Sequence, residues 1–227
     1  MSTFKLIVGI ITNVAVFGGL LLLPAGTLNW WRTWLLLGVV FVGSVASTFS
    51  IFRVNKDLLE ERFRPPVQKG QPLADKIVVL LFIATYLVWM VFIPLDVFRY
   101  NLFGKPQIYI SSLGLVLFVT GWWIITLALR VNPFAAPVVK LQEERHQIVI
   151  CSGVYCIVRH PMYAGCIPLL VGMALWLESF AAAWLAIVPI LTLVLRILVE
   201  ERFLRRELMG YEAYTERVRY RLIPFIW

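Results

Sequence analysis

Hydrophobic positions along this chain fall into long uninterrupted runs, not into narrow helical stripes or alternating strands. Six runs stand out, over residues 4–23, 31–52, 77–98, 109–129, 161–177 and 180–199. A helix rises about 1.5 Å per residue, so about 20 apolar residues cross the hydrocarbon of a bilayer. The first four runs meet that length. The fifth is short, carries Pro168, and is separated from the sixth by only Leu177, Glu178 and Ser179. This pair predicts a tight helical hairpin, whose turn must satisfy its backbone groups inside the protein or at the interface.

Composition supports the same class. The chain has 227 residues, 60 % of them hydrophobic and only 15 % charged, with a mean hydropathy of +0.83. The expected fold is an all-α polytopic membrane protein of about six helical segments, with no Rossmann domain. It reads as one integrated domain: membrane helices and a first polar loop over residues 1–108, then a core over 109–227. The start, Lys5 followed by an apolar run, resembles a signal peptide. The run is long and lacks a small-x-small cleavage site, so a retained first helix is expected.

The formal net charge of +8 changes the picture only through its distribution. Lys5 precedes the first run; Arg53, Lys56, Arg62, Arg64, Lys69 and Lys76 follow the second. Arg130, Lys140, Arg145 and Arg159 follow the fourth, and Arg202, Arg205, Arg206, Arg217, Arg219 and Arg221 follow the sixth. The other side receives Arg32, Arg99 and Lys105, while Arg196 lies inside a run. This bias predicts that both termini are cytoplasmic. Basic residues beside apolar runs suit an anionic lipid surface, and no nucleic-acid partner is expected. Trp30, Trp31, Trp34, Trp122, Trp123, Trp176 and Trp184 mostly sit near run ends, as interfacial anchors do.

Three polar pieces remain. Residues 53–76 are interrupted by Pro65, Pro66 and Pro72 and cannot form one straight helix. Residues 130–158 carry Asn132-Pro133, Pro137 and the run QEERHQ. Residues 200–227 form an aromatic, basic tail with helical spacing. Together these pieces are expected to cap the cytoplasmic end of the bundle. Cys151, Cys156 and Cys166, with His146 and His160, offer no zinc spacing and no disulfide framework, so no metal is expected.

Chemistry concentrates in two stretches. In GVYCIVRHPMYAG, residues 153–165, Tyr155 and Tyr163 offer ring faces and hydroxyls. Arg159 offers a charged five-donor fork, and His160 a hydrogen-bonding ring. Pro161 suits the first position of a helix, which places His160 at the cap, where the positive helix end favours an anion. The plainer readings are a basic membrane anchor for Arg159 and a satisfied core histidine for His160. In EERFLRRELMGYEAYTERVRYRLIP, residues 200–224, Glu200 and Glu201 fall at the membrane border. Carboxylates there are functional candidates, with an ordinary salt bridge to Arg196, Arg202 or Arg205 as the plain alternative. Tyr211 and Tyr214 share a helix face.

These two stretches together resemble the isoprenylcysteine carboxyl methyltransferase family and its bacterial relatives. The first matches through Gly153, Tyr155, Arg159, His160, Pro161, Tyr163 and Gly165. The second matches through Glu200, Glu201, Leu204, Gly210, Tyr211, Tyr214, Arg219 and Pro224. His146 resembles a histidine that often precedes the motif in relatives. The resemblance covers residues 109–227; Val154 departs from it, standing where many members have proline.

The resemblance implies a methyltransferase that binds S-adenosylmethionine in a pocket closed by cytoplasmic loops, in a multi-pass protein of the bacterial inner membrane. By that analogy Tyr155, His160 and Tyr163 surround the cofactor, and His146, Tyr211 and Tyr214 join the binding set. Arg159 or an arginine of the tail, such as Arg205, would hold an acceptor carboxylate. Glu200 or Glu201 would organise the site, with Glu201 favoured because Arg205 lies one turn later. The implied acceptor is lipidic or prenylated, foremost the carboxylate of an isoprenylcysteine-like or isoprenoid substrate. Methylation of a phospholipid amine is the alternative. An NADPH-dependent sterol reductase and a non-catalytic lipid-binding protein are the readings from other classes.

Overall fold

The computed structural model describes residues 3–68 and 70–227; Lys69, in the second basic flank, lies outside the described residues. Among the described residues nine α-helices follow in chain order: α1 (Thr3–Ala25), α2 (Trp31–Phe52), α3 (Lys56–Arg62), α4 (Leu73–Leu95), α5 (Ile108–Val131), α6 (Pro161–Trp176), α7 (Phe180–Leu185), α8 (Ile187–Glu207) and α9 (Tyr211–Arg217). Five segments among the described residues are long and apolar enough to cross a membrane: Phe4–Ala25, Trp31–Phe52, Leu73–Tyr100, Ile108–Val131 and Phe180–Glu207. The shorter apolar helix Pro161–Trp176 completes the bundle. The polytopic membrane fold expected from the apolar runs is the one observed.

Two elements outgrow their runs for local reasons. Helix α4 starts at Leu73, directly after Pro72, because Ala74, Asp75 and Lys76 can form a polar first turn that the apolar count ignores. At its other end the chain tightens into a π-helical turn, Asp96–Tyr100, which stops at Asn101 with φ 46°. Helix α8 runs past the apolar border to Glu207, since Glu, Leu and Arg are all strong helix formers. It ends before Gly210, whose φ of 84° takes the left-handed conformation that glycine adopts without steric cost.

The hairpin of the last two runs is present, but its arms do not pack tightly on each other. Helix α6 lies along α5, whereas α8 packs chiefly on α4. Glycines set the first of these pairings. A Cβ added at Gly121 would stand 2.5 Å from the Gly165 carbonyl oxygen, and one at Gly172 would stand 2.5 Å from that of Gly114. Two backbones thus touch at two levels, the close approach that small residues permit in membrane helices. Gly165 belongs to the first motif, and this contact gives it a physical reason.

The turn between the arms is fully tied down. Ser179 Oγ donates to Asp96 Oδ2 at 2.6 Å and accepts from the Ala182 amide at 2.9 Å. Arg32 is buried. Its Nη1 donates to the Trp176 carbonyl at 3.1 Å, its Nε faces Glu178 at 3.2 Å, and its guanidinium lies over the Trp31 and Trp176 rings. The arms of α6 and α8 are therefore pinned at this end, and near the other Tyr163 of α6 packs with Leu193 and Ile197 of α8. Fully buried Leu36, Val40, Met90, Ile93, Phe118 and Met173 fill the core between them and the remaining helices.

Candidate active site

The end of the α6–α8 pair opposite this turn carries the residues singled out in both motifs. His160 is the N-cap residue of α6 and Pro161 its first residue, as the sequence implied. The cap, however, is made by the chain rather than by the imidazole. The Arg159 and His160 amides donate to the carbonyls of Tyr220 and Arg221, both at 2.9 Å. The tail thus folds back along residues 159–160 and brings residues far apart in sequence into one cluster.

Glu201 sits at the centre of that cluster and is 3 % exposed. Its Oε1 accepts from Arg159 Nε at 2.7 Å and lies 3.2 Å from His160 Nε2, while Oε2 accepts from Arg221 Nε at 2.9 Å. Arg159 Nη1 also donates to the carbonyls of Val218 and Arg219, at 2.7 and 2.9 Å. Three of the five Arg159 donors go to Glu201 and the tail backbone, so its charge holds the tail to α6 and α8. Arg205, in contrast, lies one turn beyond Glu201 but forms an exposed ion pair with Glu212. Arg221 takes the place that spacing suggested for Arg205.

In front of this cluster lies a cavity that opens to solvent. Tyr155, Arg159, His160, Tyr163, Glu200, Tyr211 and Tyr214 all line it. Glu201 does not; it stands behind Arg159 and His160. His146 is exposed outside the cavity, with φ 47° at the end of a short 3₁₀ turn, while Gln147 to Ile150 contribute the wall. Of the ten residues that the two motifs and the resemblance single out, the structure brings eight together and leaves His146 and Arg205 outside.

The tyrosines hold the cavity's shape. Tyr163 donates to Glu200 Oε2 at 2.7 Å, and its ring stacks on His160 with centroids 5.7 Å apart. Tyr214 donates to the Tyr155 carbonyl at 2.7 Å, which ties α9 to the first motif. Burial pushes the hydroxyl pKa values of Tyr155, Tyr211 and Tyr214 up, and nearby Glu201 and Glu200 add to the effect at Tyr211. These hydroxyls stay neutral and act as donors, not as bases.

Sequence reasoning missed the opposite wall. Asp75, 0 % exposed, accepts from Gln71 Nε2 at 2.6 Å and from the Val139 amide at 2.8 Å, and faces Arg196 Nε at 3.6 Å. Arg196 in turn donates to the Pro137 carbonyl. Lys140 pairs with Glu61 at 2.9 Å. These bonds hold residues 137–140 against the cavity. No local spacing announces them, because Asp75 and Val139 are 64 residues apart. An aspartate in the first turn of an apolar helix reads equally well as a simple helix start.

The three cations lining the cavity, Arg159, Arg196 and Lys140, each face a protein carboxylate: Glu201, Asp75 and Glu61. Glu200 is the carboxylate that lines the cavity. Among the described residues it has a hydroxyl partner and no ion pair. The site therefore offers a ligand one negatively charged side chain inside an aromatic enclosure, a pattern that suits a cation.

The phospholipid methyltransferase family model matches residues 109–209, just under half of the chain. The match covers α5, α6, α7 and α8 and most of the cavity, and it supports a membrane methyltransferase. No curated protein is significantly similar to the chain.

Proposed function

We propose that this protein is an S-adenosylmethionine-dependent membrane methyltransferase whose acceptor is the amine of a lipid headgroup. The observation that carries the acceptor is Glu200. An amine is held as its ammonium by a carboxylate that has no contact ion pair, and Arg196, which acts on Glu200 only through space, faces Asp75. A carboxylate acceptor, foremost in the isoprenylcysteine resemblance, needs a free cation, and Arg159, Arg196 and Lys140 are committed to protein carboxylates. The phospholipid methyltransferase match points the same way.

The donor set fits the cofactor. Tyr155, Tyr163 and Tyr211 present rings and Glu200 a negative charge, which suit a sulfonium. The N-terminus of α6 opens into the cavity, where its unpaired amides favour a carboxylate. When bound, S-adenosylmethionine supplies a methyl group that a nucleophile takes as the carbon–sulfur bond breaks toward sulfur. The protein's part is orientation and exclusion of water. Tyr163 fixes the Glu200 carboxylate through one oxygen, leaving the other for the acceptor. Glu200 takes the proton that the amine loses, so that a neutral nitrogen attacks.

The test is transfer of labelled methyl from S-adenosylmethionine to purified lipids. The expected product is a base-stable N-methyl headgroup. Glu200→Gln is expected to lower turnover about 100-fold or more, the usual size of a general-base contribution, with cofactor binding retained. Base-labile label on a prenylcysteine or isoprenoid acid, with no labelled amine, overturns the amine acceptor. Absence of S-adenosylmethionine binding to folded protein overturns the methyltransferase itself.

A further inference from the structure

We propose a second ligand site, on the outer side of the 132–136 turn, that takes the phosphate of an anionic lipid headgroup. A separate cavity there is lined by Arg53, Asn55, Lys56, Asp57, Pro133 and Arg145. Its three cations are each laid over an aromatic ring. Arg53 lies 4.2 Å from the Phe49 ring centroid, Lys56 4.9 Å from that of Phe52, and Arg145 5.4 Å from that of Phe134. Cation–π contacts restrain long side chains without neutralising them. Among the described residues none of the three has a carboxylate partner, so Asp57 is the lone negative charge in the cavity.

Position selects the ligand. Phe49 and Phe52 belong to the last turn of α2, a helix long and apolar enough to span, so the cations sit where its hydrocarbon-facing surface ends. Asn55 fixes the junction by donating to the carbonyls of Leu129 and Arg130, at 3.4 and 2.9 Å. A preformed net-positive hollow at that height matches a headgroup phosphate, which a cluster of cations near the membrane surface attracts.

The site also touches the larger cavity. Pro133 lines the outer hollow, while its neighbours Asn132 and Phe134 line the inner one. Arg145 Nη1 donates to Gln142 Oε1 at 2.6 Å, and Gln142 Nε2 donates to the Phe134 carbonyl at 2.9 Å. A phosphate that fixes Arg145 therefore fixes the inner wall through buried Gln142. Binding of the headgroup stands apart from the methyltransferase reading; its effect on the cofactor rests on that reading.

The experiment titrates the purified full chain with short-chain phosphatidylglycerol, phosphatidylcholine and inorganic phosphate, read by native mass spectrometry. Saturable phosphatidylglycerol binding is expected, weakened about tenfold or more in R53Q/K56Q/R145Q and unchanged in R202Q/R206Q, whose arginines are exposed on α8. Parental affinity in the first variant, or equal loss in both, overturns the site. Inorganic phosphate that competes at the same concentration as the lipid overturns the lipid as its source. If the triple variant fails to fold, the three single substitutions are each expected to weaken binding several-fold, and parental affinity in all three overturns the site. A second arm measures S-adenosylmethionine affinity in phosphatidylcholine vesicles with and without phosphatidylglycerol. Tighter binding with the anionic lipid is expected in the parent and not in the triple variant; an equal response overturns the coupling. Failure of the cofactor to bind in any vesicle refutes the methyltransferase, while the headgroup titration still reads the outer site.

Discussion

Glu200 and Glu201 are adjacent in the chain and opposite in circumstance. One faces the cavity with a single hydroxyl partner; the other is buried among Arg159, His160 and Arg221. Neutralising them should therefore separate activity from stability. Glu201→Gln leaves Arg159 buried without its counter-charge, a change that costs about 3–5 kcal/mol when a buried pair is broken. It is expected to lower the thermal unfolding midpoint strongly, whereas Glu200→Gln leaves the midpoint near the parent. Scanning calorimetry in detergent checks this, and equal midpoints would show that Glu201 is not a structural keystone. Arg159→Lys is also expected to destabilise, since an ammonium cannot reproduce a fork that reaches Glu201 and two carbonyls at once. The sequence motif flagged both residues, but it could not tell a group that lines the cavity from a group that holds the wall. That distinction depends on Val218, Arg219 and Arg221 folding back, which no local spacing encodes.

At the scale of elements, the long apolar runs made α1, α2 and α5 legible almost to the residue. They were less informative for α4 and α8, where polar residues continue a helix beyond its apolar part. The pairing of helices was not legible at all. Hydropathy treats α6 as a short partner of the last run, whereas Gly114, Gly121, Gly165 and Gly172 commit it to α5. Gly165→Ala places a methyl group against backbone 2.8 Å away, and overpacking of this kind costs about 1–3 kcal/mol. Because α6 opens with His160 and carries Tyr163, the same substitution is expected to weaken cofactor binding from outside the cavity. Gly38→Ala, at a position with nothing within 4 Å of the added carbon, is the matched control and should change neither. Comparable losses in the two variants would remove the contact's special role. A further difference concerns Ser179, whose hydroxyl caps α7 and meets Asp96. Ser179→Ala removes the cap, a loss of about 0.5–2 kcal/mol, detectable as a lower unfolding midpoint.

For the whole molecule, the two motifs supplied the content of the site and the tertiary contacts supplied its layout. Tyr155, His160, Tyr163, Glu200, Tyr211 and Tyr214 were readable as a set because they cluster in two stretches of sequence. Asp75, Lys140 and Arg196 were not, because each acts through a partner in another helix or loop. The clamp around Arg32, Asp96 and Ser179 has a further consequence in mechanical terms. It makes the α6–α8 pair a lever with its fulcrum at one membrane face and its working end at the other. The arm from Ser179 to Glu200 is about 30 Å long at 1.5 Å per residue. One degree of opening thus moves the working end by about 0.5 Å, the tolerance within which functional groups must be held. Turnover is accordingly expected to vary with bilayer thickness, and reconstitution across lipids of graded chain length measures it. A flat profile would mean that the α6–α8 pair is rigid. A graded one would mean that the membrane squeezes the enzyme's jaws as surely as it dissolves its substrate.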